Sequence, residues 1–146
     1  MSSRKKLRDW NVDTKIKIAS LWIIYMFVFI YTDYYKMFIP GVVDDMMSGI
    51  LEGIPLSPLL LFVFSAITIF PAFMIFLSLL LPAKLNRWLN AIIGLIYMII
   101  SVNSLIGHVW AFWIFYCIIL TLVTVIIVIY SWKWPLEKSN QPDNCA

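Results

Sequence analysis

Asp33 is the residue of this chain whose side chain asks most for a chemical explanation, because it sits inside an apolar run fifteen residues beyond Ile18. On a helix rising about 1.5 Å per residue that separation is about 22 Å, close to the far headgroup boundary of a bilayer. A carboxylate at that depth is costly in lipid and is a functional candidate by default. Lys36, one turn further on, offers a second reading: an ion pair reaching the interface. At matched depth, Asp33, Tyr34, Tyr35, Ser65 and Tyr116 can converge on an outward-facing ligand pocket if the helices carrying them pack as a left-handed bundle. That would be a carboxylate with phenol and hydroxyl neighbours, suited to holding a polar head while apolar walls hold a tail.

Other chemistry is scarce. His108 is the one histidine of the sequence, so a zinc or bis-histidine haem site within one chain lacks ligands, and no metal or cofactor is expected. Gly41, Gly49, Gly53, Gly94 and Gly107 are scattered and make no phosphate-cradling loop. Cys117 and Cys145 form neither a CxxC pair nor a disulfide framework. No catalytic residue is assigned, and the expectation is a protein that is not an enzyme.

A second group of polar residues follows a helical period. Asn90, Gly94, Tyr97, Ser101, Ser104 and His108 recur at steps of four and three, as do Trp110, Trp113, Cys117, Thr121, Thr124 and, after Val128, Ser131. Small and hydroxylated residues on such stripes let helices approach closely in lipid, so Asn90, Gly94, Ser101, Ser104, Thr121 and Thr124 are expected to form a packing seam. A polar permeation path along the same stripes is the alternative. Asn103 falls off the stripe.

The elements that must carry these residues are set by composition. In 146 residues, 62% are hydrophobic and 13% charged, more apolar surface than a small soluble domain can hide. Four runs, 16–35, 57–81, 88–107 and 109–132, each supply the roughly 20 apolar residues needed to cross a membrane. The end of the first run, Tyr31-Thr32-Asp33 in place of small residues, argues against a cleaved signal peptide. Pro71 in the second run removes a main-chain donor and predicts a bend, with Thr68 placed to satisfy a freed carbonyl.

Of the 11 lysines and arginines, Lys36 alone lies between the first and second runs; the rest flank the opposite ends. The positive-inside rule therefore puts both tails, 1–15 and 133–146, in the cytoplasm. The net charge of +3 is spread over span ends and makes no nucleic-acid face. Trp10, Trp88, Trp132 and Trp134 at one interface and Tyr34, Tyr35 and Trp110 at the other fit aromatic belts. Between the first two runs, Val43, Met46, Met47, Ile50, Leu51 and Ile54 repeat at helical spacing opposite Asp44, Asp45, Ser48 and Glu52. This predicts a short interfacial amphipathic helix over 42–54, either a connector or a lid. The fold class is thus all-α: one membrane domain, a four-helix bundle with antiparallel neighbours.

Leu21-Trp22-Ile23 and Tyr31-Thr32-Asp33 in the first run, Leu81-Pro82 with Asn86-Arg87-Trp88-Leu89-Asn90 at the inner turn, and Tyr130-Ser131-Trp132-Lys133-Trp134 closing the fourth resemble a family of small bacterial membrane proteins, domain of unknown function 6326. The resemblance covers nearly the whole chain. It implies a four-span protein of the bacterial inner membrane, assigns no reaction, and directs attention to Asp33 and the turn from Asn86 to Asn90. Two functional expectations follow. The first is a non-catalytic accessory or self-assembling membrane subunit, with lipids, a second copy or a membrane protein as partner. The second is a small carrier or lipid-binding protein with a pocket near Asp33.

Overall fold

The first two apolar runs start where a side-chain cap meets them. In the computed structural model, which describes residues 12–51, 53–106 and 109–134, α1 (Thr14–Lys36) begins at Asp13, whose carboxylate accepts from Lys15 N. Ser57 caps α3 (Pro58–Leu80) through Leu60 N, with proline at the first helical position where its missing donor costs nothing. Pro82 ends the next link, so α4 (Ala83–Asn103) starts a turn and a half earlier than the run at 88 suggested. The last long helix, α5, spans Ala111–Trp132. All four are long and apolar enough to cross a membrane. The tails 1–11 and 135–146, and Glu52, Gly107 and His108, lie outside the described residues.

The stretch from 42 to 54 is only partly helical. α2 covers Val42–Met47, and the chain then turns through Gly49 (φ 76°) into a small antiparallel hairpin, β1 (Ile50–Leu51) against β2 (Ile54–Pro55), with Gly53 at φ 78°. Glycine in the left-handed region just past a helix end is a stop signal. It outweighs the helical spacing of Ile50, Leu51 and Ile54.

Going round the bundle the order is α3, α1, α5, α4. The extensive contacts are α1 with α3, α1 with α5 and α4 with α5, all antiparallel; α3 and α4, though joined by a tight link, touch only slightly. The face bearing the helix ends near residues 14, 80, 83 and 132 is here the terminal face, and the other, carrying α2 and the hairpin, the loop face. Ile18, Trp22, Tyr25, Met74, Tyr97, Leu120, Val123 and Ile127 make the core. Outward-pointing Phe62, Phe73, Phe76, Leu95 and Leu122 are exposed, as lipid rather than water requires.

At the terminal face, Lys15 reaches the end of α3, its ammonium donating to Leu81 O at 2.8 Å and Leu79 O at 3.4 Å. A cation there satisfies carbonyls that the helix leaves unpaired and complements its dipole. Lys17 lies over the Tyr130 ring and Arg87 over Trp132, which also meets Trp88 edge-on.

Candidate functional site

A polar centre is buried among apolar side chains in the half of the bundle nearer the terminal face. Asn86 and Asn90, one turn apart on α4, are both fully buried. Asn90 Oδ1 accepts from Trp22 Nε1 at 2.7 Å and from Ser78 Oγ at 3.1 Å, while its Nδ2 donates to Asn86 O and Oδ1. Asn86 Nδ2 donates to Ser78 O. Side chains of α1, α3 and α4 are thereby tied through one amide. Among the described residues no buried side-chain nitrogen or oxygen is left without a partner, the condition under which a polar cluster stabilises rather than costs.

Of the seam residues, Gly94 packs against Thr124, Ile127 and Val128 of α5, whereas Asn90 turns to Trp22 of α1 and Ser78 of α3. Asn90, Gly94, Ser101 and Thr124 are buried; Ser104 and Thr121 are half-buried. Their hydroxyls bond back to their own helices: Ser101 to Tyr97 O, Ser104 to Ile100 O, Thr121 to Cys117 O, and Thr124 to Leu120 O and Thr121 O. The hydroxyls themselves leave the seam to close approach, while Trp113 Nε1 of α5 donates across to Ser104 O at 2.8 Å. Asn103 bonds its own Ile99 O.

The five residues matched by depth divide into two places. Asp33, Tyr34 and Ser65 line an open groove of about 680 Å³ between α1 and α3, together with Met26, Phe29, Ile30, Met37, Thr68, Ile69 and Ala72. Tyr35 and Tyr116 lie elsewhere, stacked on each other at 6.1 Å beside Phe112. Adjacent helical residues point about 100° apart, so Tyr34 turns towards α3 while Tyr35 turns towards α5. Lys36 places its ammonium 5.5 Å from the Trp113 ring.

The groove runs from Met26 and Ala72 near mid-depth to Met37 at the loop face. Eleven residues of helix cover about 16 Å, close to half of a hydrocarbon core about 30 Å thick. Its floor is apolar, and its carboxylate, phenol and Ser65 hydroxyl lie towards the loop face. The Ser65 hydroxyl hydrogen goes to Leu61 O and that of Thr68 to Ser65 O, which leaves each oxygen with acceptor capacity only.

Trp22 and Ser78 were not marked by the sequence. Ser78 is a single hydroxyl in a Phe/Leu run, and Asn86 and Asn90 stood out only through the family resemblance and, for Asn90, the packing stripe. Among the described residues no three His, Cys, Asp or Glu side chains gather as a metal site would require.

No curated protein and no solved structure matches this chain. A model of a family of unknown function matches residues 5–139, and the chain is therefore a multi-pass membrane protein that belongs to that family, DUF6326.

Proposed function

We propose that this protein is a non-catalytic lipid-binding protein of the bacterial inner membrane, holding one acyl chain of an amine-headed lipid in the groove between α1 and α3. The observation that carries the reading is the groove itself, one leaflet long, apolar along its floor and acidic near its loop-face end. An acyl chain fits the apolar stretch. A carboxylate among acceptor oxygens suits an ammonium head and disfavours an acidic one. The distribution of Lys and Arg supports an orientation with both termini cytoplasmic, which puts the groove in the outer leaflet.

The test is a titration of nanodisc-embedded protein with a long-chain alkylamine and with the fatty acid of the same length. The amine is expected to bind preferentially. Asp33→Asn is expected to weaken amine binding by about tenfold or more, the value of a hydrogen bond to a charged group, with fatty-acid binding unchanged. Equal binding of the two probes, or full amine binding by Asp33→Asn, overturns the reading.

A second reading, self-assembly, is favoured by α3. Only Pro71, Met74 and Ser78 of its 23 residues are buried, so most of its surface is open to a second copy. Subunit counting separates the two.

A further inference from the structure

Pro71 stands in the middle of α3 and is itself buried. Having no N–H, it leaves the carbonyl four residues back, that of Ile67, without its in-helix donor. The nearby hydroxyl of Thr68 does not serve that carbonyl; it bonds Ser65 O at 3.0 Å. The donor comes from another helix: Tyr97 Oη of α4 donates to Ile67 O at 2.5 Å. Tyr97 is in turn held edge-on by Trp22 at 6.0 Å and by Tyr25 at 5.6 Å.

The two halves of α3 differ in how they are held. After the proline, Met74 and Ser78 are buried, Ser78 joins the asparagine centre, and Lys15 grips the last carbonyls. Before it, no residue from 58 to 70 is buried. That loose half supplies Ser65, Thr68 and Ile69 to the groove, with Ala72 just beyond the proline. A helix lacking one rung of its ladder bends at that rung, so movement of the loose half about Pro71 changes the groove's width.

We propose that the hydrogen bond from Tyr97 to the Ile67 carbonyl is the latch that sets the width of the α1–α3 groove, with Pro71 as its hinge. Tyr97 is then a positioning residue for the site, which it reaches through α3 without lining it. As a function the latch rests on the groove being a binding site, but its geometry can be tested without any ligand.

The experiment is a distance measurement between spin labels at Tyr31→Cys on α1 and Leu59→Cys on α3, both exposed positions. It uses full-length protein in nanodiscs with Cys117→Ala and Cys145→Ser. Tyr97→Phe keeps the ring and removes only the donor. It is expected to raise the wide-groove population about threefold, the effect of an average interhelical hydrogen bond in lipid. Pro71→Ala restores an amide for Ile67 O, so in that background Tyr97→Phe should shift the distribution little. An unchanged distribution in Tyr97→Phe overturns the latch. A shift that persists undiminished with Pro71→Ala also overturns it, by showing that the hydroxyl acts elsewhere. The amine titration judges the groove separately, so failure of one is not read as failure of the other.

Discussion

Asn90→Leu is expected to destabilise the protein by about 2–3 kcal/mol, more than any other single polar replacement in the bundle. The side chain is fully buried and serves both Trp22 and Ser78 through one oxygen while its amide nitrogen holds Asn86. Leucine fills a similar volume, so the loss comes from stranded partners: an indole N–H, a serine hydroxyl and an asparagine oxygen. An interhelical hydrogen bond in a membrane averages only about 0.6 kcal/mol, because the unfolded chain in lipid also finds partners. Leaving a buried group with no partner costs about 1–3 kcal/mol, and Asn90→Leu affects three at once. Equilibrium unfolding in a detergent–lipid mixture measures it. Asn103→Leu is the control: its amide bonds only its own helix at an exposed position, and the change should stay within about 0.5 kcal/mol. Equal effects of the two would mean that the centre is no more than locally satisfied polarity.

Gly94→Ile is expected to force α4 and α5 apart, at a cost of about 1–3 kcal/mol for overpacking a fitted contact. A Cβ at Gly94 would meet Val128 Cγ2 at 3.1 Å and Ile127 Cγ2 at 3.4 Å, with Thr124 O at 3.8 Å. Alanine needs only a few tenths of an ångström from the Val128 methyl, so Gly94→Ala should be nearly neutral. The larger branched side chain has nowhere to go, since Thr124 and Ile127 are fully buried. Val128→Ala opens space at the first contact, and the double variant should recover part of the loss, a coupling expected of residues that touch. Unfolding measurements on the four proteins test this. Purely additive effects would show that α4 and α5 do not meet at Gly94 as described.

These two positions also show which features of the molecule could be read from its sequence. Gly94 and Asn90 fell on a stripe of small and polar residues whose period implied a tight helix contact; Gly94 does lie against α5, while Asn90 turns to α1 and α3. The axial coordinate was likewise legible. Rise per residue put Asp33 and Ser65 at one depth, and both line the same groove. What the sequence does not carry is the rotation of each helix about its axis. For that reason Tyr35 and Tyr116, at the right depth, stack together at a different place.

The Ile67 carbonyl failed for a related reason. Thr68 was the local candidate to satisfy it, whereas the actual donor, Tyr97, is 30 residues away and reaches Ile67 only once α3 and α4 are in register. In the 42–54 segment two signals conflicted, helical spacing of apolar residues against Gly49 and Gly53. The glycines prevailed because a short interfacial helix has little buried surface to hold it together; no residue of α2 is buried.

Native mass spectrometry of the protein released from nanodiscs containing equal amounts of an amine-headed and an acidic phospholipid tests the binding reading most directly. One spectrum reports subunit count and retained lipid together. The account predicts one amine-headed lipid retained per chain, lost on filling the groove by Ala72→Trp and retained in Tyr116→Phe, which leaves the groove untouched. A chain or oligomer released bare, or one that keeps the acidic lipid as readily, would contradict it and leave self-assembly through α3 as the better account of this protein.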